Sequence, residues 1–499
     1  MTYEAIIGLE IHLRLNTETK MFCRCANTEE AEPNSVICPI CTGQPGVLPV
    51  LNAEGVRLAT KLSLALNLHV RNWMKFDRKN YFYPDLPRGY QISQFDYPLG
   101  HDGYIDILTD DVNVKRIAIE RLHIEEDSGK LKHDAQGRTL VDFNRSGQPL
   151  AELVTKPDMR TPQEAKAFAM ELQQIARYIG ASQADMEKGH MRCDVNISLR
   201  PVGDTALYPK TEIKNINSFR SIERAIAYEI ERQTQLWNEH QAPEKTTTRG
   251  WDDAKGVTVL QRTKEDAADY RYFPEPDVPP LTLSDEYIAN VRRSIPELPT
   301  PKRMRFVSEF GLSFSDAKVL CADTAVAEFF EDTISELRSW LSQLDSTEGS
   351  REEMLATYSS TLSRLTCNWI SSELFKLCNK TNTAFVDIKI TAENFAELLA
   401  LVYEKKVNSS AAQQILQIMF ETGGDPSDIM REHNLEQSSD SDELERYISG
   451  VLNENAQSVA DYKAGKQAAL MFLVGKVMKA SKGKANPQVV TEILKKKLD

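Results

Sequence analysis

Residues 4–15 read EAIIGLEIHLRL. Side chains of a strand alternate between its two faces, so this run sets Leu9, Ile11, Leu13 and Leu15 on one side and Glu10, His12 and Arg14 on the other. Such alternation marks a strand that buries one face and keeps the other polar. Glu10 and His12 thereby become neighbours on one surface. Carried downstream, the same rule collects Arg121, His123 and Glu125 in RIAIERLHIEE (116–126) and Asp194, Asn196, Ser198 and Arg200 in RCDVNISLR (192–200). It pairs Glu212 with Lys214 in TEIKNINSF (211–219). Each row is also what the wet side of an antiparallel strand looks like. Four strands that alternate acids with His, Asn and Arg are more polar than solvation alone requires.

Helices interrupt these strands. In TPQEAKAFAMELQQIARYIG, Thr161 is placed to cap, Pro162 to occupy the first turn and Glu164 to complete a capping box. Ala165, Phe168, Ala169, Leu172, Ile175 and Ile179 form a stripe that ends at Gly180, and the stripe needs a sheet to cover it. Prolines concentrate between 274 and 301 and read as a boundary. Beyond them strand signals fade and helical periodicity takes over, in stretches such as AVAEFFEDTISELRSWL, with a polar interruption at 345–351. The expected class is α+β, an antiparallel-sheet domain with packed helices followed by all-α segments.

A chain of 499 residues, 41% apolar and 27% charged, has room for about three domains with full cores, which excludes disorder and a miniature scaffold. The longest apolar stretch near either end, 468–474, is far short of the ~20 residues of a membrane span. No signal-peptide pattern follows Met1, so a cytoplasmic location and no membrane partner are expected. A net charge of −13 argues at first against a nucleic-acid partner. The average conceals a division. Residues 461–499 hold nine lysines against three acids, a net of +6 that leaves −19 on the other 460. Lys476, Lys479, Lys482 and Lys484 could follow an RNA backbone, or form a solvated basic helix.

Carboxylates beside an imidazole suit Mg2+ or Mn2+, whose usual partner is a phosphate. Neither GxxxxGK[ST] nor GxGxxG occurs, so any ATP must be held by metal, Arg and Lys on a sheet face. The run FDRKNYFYPDLPRGYQISQFD (76–96) supplies Arg78, Lys79 and Arg88 among aromatic residues. Four of the eight cysteines, Cys23, Cys25, Cys38 and Cys41, are spaced C-x-C-x12-C-x2-C, which can close a tetrahedral thiolate site. Four thiolates leave no open position, so zinc there would clamp a loop and not catalyse. Cys193, Cys321, Cys367 and Cys378 are scattered and read as buried apolar residues.

The stretches GLEIHLRLNTETKMFC, CPICTGQPGVLPVLN, FDRKNYFYPDLPRGYQISQFD, RLHIEEDSGKLKHD, DFNRSGQPLAELVTKPD, MRCDVNISLRP, TEIKNINSF, DYRYFPEPD and FLVGKVMKASKGKANP resemble the GatB family, the B subunits of aspartyl/glutamyl-tRNA(Asn/Gln) amidotransferases. The resemblance implies a kinase and transamidase working in a heterotrimer with an amidase, the A subunit, and a small C subunit. A tRNA mischarged with Glu or Asp, Glu-tRNA(Gln) or Asp-tRNA(Asn), is corrected: ATP phosphorylates the side-chain carboxylate, and ammonia channelled from the amidase displaces phosphate. It implies a cradle domain over 1–293 with a zinc loop at 23–41, a helical domain over 294–405, and a YqeY-like, tRNA-binding tail over 406–499. Carried onto this chain, Mg2+ would be held by Glu10, His12, Glu125 and Glu152, and Glu126 and Lys79 would stand at the mouth of the ammonia channel. Arg78, Lys79, Lys214 and Asp194 are the residues expected around ATP, from charge and position in the matching motifs. His123 shares a face with Glu125 and reads equally as a ligand or as a supporting residue.

Three alternatives differ in what they require. The archaeal-type E subunit has a large domain inserted before its tail, and residues 301–406 are too few and too helical to hold it. A tRNA-binding scaffold without activity would leave the sheet's acids merely solvated. A stand-alone metal hydrolase lacks support, because no Ser or Cys nucleophile motif is present.

Overall fold

A computed structural model describes the chain except residues 1, 29, 109–112, 264–269, 344–350, 437–440, 464–465, 482–484, 486 and 499. Lys482 and Lys484, and most of the polar interruption at 345–351, fall outside the described residues. The chain divides into two compact units, Met1–Pro301 and Lys302–Asp499, the division falling at the end of the proline-rich segment.

The first unit is built on a mixed sheet of nine strands: β1 (Tyr3–Arg14), β2 (His69–Val70), β3 (Gly100–Leu108), β4 (Val114–Glu126), β5 (Pro149–Thr155), β6 (Met191–Pro201), β7 (Thr211–Ile216), β8 (Thr247–Asp252) and β9 (Val257–Thr263). Their order across the sheet is β9-β8-β7-β6-β1-β5-β4-β3-β2, which puts the strand quoted first at its centre. All pairs are antiparallel except β7 with β8. That one parallel pair departs from the all-antiparallel expectation for a simple reason. A helix, α3 (Phe219–Asn238), lies between the two strands, and a helical crossover returns the chain in the same direction where a hairpin would reverse it.

Leu9, Ile11, Leu13 and Leu15 are all buried, in one core with Leu58 and Leu62 of α1 (Ala53–Ala65), Phe168, Leu172 and Ile175 of α2 (Pro162–Tyr178) and Ile222 and Ile226 of α3. The Thr161 hydroxyl caps α2 by accepting from the Glu164 N–H at 3.2 Å, while the Glu164 carboxylate reaches back to the Arg160 N–H at 2.7 Å. One face of β1 is therefore committed to helices, and its polar face is left to the cavity described below.

Glu229, on α3, is a fully buried carboxylate. Arg232 meets it at 2.8 Å and Arg249 of β8 at 3.3 Å, and the Thr258 hydroxyl of β9 donates to it. Burial alone would raise this carboxyl, but Arg232 and its other donors hold it below the ordinary range. Glu229→Ala would leave two cations without their partner, so the unit should lose about 3–5 kcal/mol in urea unfolding at neutral pH. Because the folded value is depressed, the Glu229 contribution is full above the unfolded value of about 4.3 and is lost as pH falls toward the folded one. The difference between variant and wild type should shrink accordingly in acid.

The second unit is helical throughout its described elements. Among the described residues its buried apolar side chains form two clusters, one from Phe306 to Met430 and one from Leu444 to Leu498. Helices Ser409–Thr422 and Pro426–Glu432 thus share a core with the helices before them. No helix among the described residues is long and apolar enough to cross a membrane.

Candidate active site

Strand register turns the alternation seen along single strands into a row across four of them. Arg192 of β6 lies opposite His12 of β1, His12 opposite Glu152 of β5, and Glu152 opposite His123 of β4. Glu10 lies opposite Asp194, and Glu125 follows His123 two residues along the same face. These side chains line a cavity of ≈ 430 Å³.

His12 Nε2 stands 3.3 Å from Glu152 Oε2 and 3.5 Å from Glu125 Oε1. Ligand atoms of Glu10, His12 and Glu152 lie within 4.8 Å of one another. Octahedral ligands about 2.1 Å from Mg2+ are about 3 to 4.2 Å apart, so the separations from His12 are those of a cation's coordination shell. Several acids and one imidazole make a hard, oxygen-rich donor set, and the residues present fit a divalent ion of the Mg2+ or Mn2+ kind. Electrostatics agree. Burial and the Glu152 charge raise the Glu10 carboxyl above its ordinary range. Burial also works against charged Glu152 and Glu125, and the Glu152 charge against Glu125 as well, yet both imidazoles hold Glu152, and His123 with Lys79 holds Glu125, below the ordinary range. The same carboxylates hold both imidazoles above theirs against burial.

Cations rim the acids. Lys79, on the short strand Asp77–Asn80, lines the cavity, and Glu125 keeps its ammonium protonated despite burial. Lys214 Nζ lies 2.7 Å from Asp194 and 3.1 Å from Glu212, and those acids likewise raise it. Arg192 donates to Asp127 at 2.7 Å. Arg121 and Arg262 complete the rim, and Tyr81, Phe95, Tyr270 and Tyr272 form an aromatic wall. In that wall Phe95 and Tyr272 stack at 4.2 Å with 6° between their planes.

Of the residues singled out from sequence, Glu10, His12, Glu125, Glu152, Lys79, Asp194, Lys214 and His123 meet in this cavity. Arg78 does not line it. The Arg78 guanidinium is taken by Glu275, with two contacts of 2.8 Å, and by Asp277 at 3.1 Å. Glu126, next to Glu125 on β4, does not line it either. Glu126 pairs with Arg88 and accepts from the Ile92 N–H at 3.0 Å, and burial pushes its carboxyl up. Lys476 and Lys479 lie in the second unit on helix Gln467–Ala480, where the Lys476 ammonium sits 5.2 Å from the Phe472 ring centre. Sequence reasoning missed Arg192, Asp127, Arg262 and the aromatic wall. Arg192 was within reach, because it shares the parity of Asp194 in the quoted run.

The four clustered cysteines also converge, their sulfurs within 4.8 Å of one another. All eight cysteines are unpaired thiols. A hydrogen bond from Cys23, with Lys20 nearby, lowers the Cys41 thiol to about 5, whereas burial pushes Cys25 up to about 11. Lys20 is fully buried, its ammonium 3.7 Å from Cys41 Sγ and 3.0 Å from the Val36 carbonyl. Gly43, at φ +68°, is packed so closely on Arg88 that a Cβ would lie 2.4 Å from the Arg88 Cγ. The cluster can hold a metal ion and is compatible with structural zinc.

Comparison with known proteins fits this division of the chain. Residues 5–289 match the GatB/GatE catalytic domain and residues 352–498 the GatB domain. The chain is 45% identical to the B subunit of the aspartyl/glutamyl-tRNA(Asn/Gln) amidotransferase of Thermoanaerobacter pseudethanolicus, over 100% of both chains. It is 45% identical to the protein of the same name from Thermotoga maritima, again over 100% of both. A B subunit of the same enzyme from Clostridium acetobutylicum is 44% identical, with the same full coverage.

Proposed function

The chain belongs to the GatB family, the B subunits of aspartyl/glutamyl-tRNA(Asn/Gln) amidotransferases, ligases that work on tRNA as assemblies of several subunits, and from that premise we propose how its cavity carries out the reaction. The substrate is the side-chain carboxylate of Glu-tRNA(Gln) or Asp-tRNA(Asn). A carboxylate is a poor electrophile. Its oxygen takes the γ-phosphoryl group of ATP, releasing ADP, and ammonia then attacks the carbonyl carbon and expels phosphate to leave the amide. The observation that carries this reading is the convergence of Glu10, His12, Glu125 and Glu152 on a cavity rimmed by cations.

Glu10, His12, Glu125 and Glu152 would hold Mg2+ there. A bound Mg2+ supplies charge neutralisation and orientation of phosphate oxygens. Lys79 and Lys214, both kept protonated by neighbouring acids, bind and orient the phosphates from the rim, with Asp194 fixing Lys214. Arg78, already tied to Glu275 and Asp277, is given no part. Lys79 and Glu126 are assigned to the entry of ammonia. That ammonia comes from the amidase, the A subunit, and the small C subunit is the third member of a cytoplasmic heterotrimer. We assign residues 1–293 to the cradle, 294–405 to a helical domain and 406–499 to a tail; helices Ser409–Thr422 and Pro426–Glu432 of that tail share the helical domain's core, and its lysines, Lys476 and Lys479 among them, follow the tRNA backbone. Zinc occupies the cysteine cluster.

A charge-assisted contact of the kind Lys214 makes contributes about 1.5–3 kcal/mol. In the assembled complex, Lys214→Met should therefore raise the KM for ATP about 10- to 100-fold, read as tRNA-dependent ADP release. An unchanged KM would remove Lys214 from the phosphate site.

A further inference from the structure

Two histidines face the same pair of carboxylates, and ligand atoms of His123, Glu125 and Glu152 lie within 4.8 Å of one another just as those of Glu10, His12 and Glu152 do, so the surroundings of each ring must separate their roles. His12 Nε2 approaches Glu125 through Oε1, at 3.5 Å, from the more open side. His123 Nε2 approaches the other oxygen, Oε2, also at 3.5 Å, and stands 3.2 Å from Glu152 Oε2. The two oxygens of Glu125 are not equivalent. Oε2 accepts in addition from the buried Ser93 hydroxyl, at 3.1 Å. That oxygen is taken up by two protein donors, and Oε1 is the one turned toward His12.

The second observation concerns the far side of the ring. His123 is 4% exposed, and its Nδ1 is buried with no hydrogen-bond partner among the described residues. A metal-bound imidazole gives its lone pair to the ion and carries its hydrogen on the other nitrogen, which is almost always donated to a carboxylate, carbonyl or water. Ligation through Nε2 would leave a buried Nδ1–H with no protein acceptor, at a cost of about 1–3 kcal/mol. With the hydrogen on Nε2 the ring instead donates to carboxylate oxygens already within reach. Both placements belong to the neutral ring, the form an imidazole takes beside a bound divalent cation, with the single hydrogen on either Nδ1 or Nε2.

We infer that His123 is a positioning residue and not a metal ligand: with Ser93 it grips Glu125 Oε2 and Glu152 from behind, presenting Glu125 Oε1 to a divalent cation on the His12 side. The inference rests on the proposed cation site and assigns the residue that shapes it.

Mn2+ binding to the full-length chain tests it without recourse to activity. Binding is titrated by the loss of the free-ion resonance, and coordinated nitrogen is read from the ¹⁴N modulation of the electron spin echo. Wild type should bind Mn2+ with ¹⁴N modulation that His12→Gln removes and His123→Gln keeps, since the Gln amide still supplies a donor. His123→Leu should weaken binding about 10- to 100-fold, as loss of a supporting partner does. Loss of the ¹⁴N signal in His123→Gln would make His123 the ligand and overturn the inference, as would unchanged affinity in His123→Leu. Absence of Mn2+ binding by wild type would overturn the cation site itself, and the inference with it.

Discussion

Purified without oxygen, the chain should carry about one equivalent of zinc, and Cys41→Ser should lose it and unfold at a temperature lower by about 5–10 °C. Two effects combine. The thiolates would lose the ion proposed to tie Cys23 and Cys25 to Cys38 and Cys41, and Lys20, fully buried 3.7 Å from Cys41 Sγ, would lose its anionic neighbour. Removing one partner of a buried charge pair costs about 3–5 kcal/mol. For a unit of this size each kcal/mol moves the transition by about 2 °C. The loosened loop also carries Gly43, which rests on Arg88, the partner of Glu126. Elemental analysis with scanning calorimetry on wild type and variant checks this. Less than about half an equivalent of zinc in wild type, or equal transition temperatures, would contradict the clamp.

How far the sequence could be read depended on whether a feature is local. Alternation along residues 4–15 placed Glu10 and His12 on one face and four aliphatic residues on the other, and the fold buries all four. The cap, proline and stripe of α2 were legible for the same reason, since each element of the pattern lies within a turn or two of the next. Spacing alone brought four cysteines to attention. The row Arg192, His12, Glu152, His123 was not legible, because it exists only through strand pairing between segments distant in the chain. The parallel pairing of β7 with β8 depends in the same way on tertiary arrangement. Arg78 illustrates a rule available but not applied: neighbours on a strand point to opposite faces, so Arg78 and Lys79 could not both enter the cavity. Glu125 and Glu126 obey it too.

Glu125→Gln bears most directly on the role of the cavity. The substitution keeps the shape of the side chain and removes its charge. Ser93 and His123 can still donate to the amide oxygen, so the surroundings persist, but Lys79 and both imidazoles lose the anion they face. If these acids are only a solvated face of a tRNA-binding scaffold, activity survives. If they hold the cation that orients the phosphates, the loss compares with removing a preorganised electrostatic group from an active site, on the order of 10²- to 10³-fold. The measurement is amide formation on mischarged Glu-tRNA or Asp-tRNA by the assembled complex, with ATP, Mg2+ and saturating ammonium chloride, which bypasses ammonia supply from the amidase. Wild type should form the amide with release of ADP and phosphate, while Glu125→Gln, binding tRNA normally, falls by that factor. Equal rates for the two proteins would contradict the assignment of this cavity as the site of carboxylate activation.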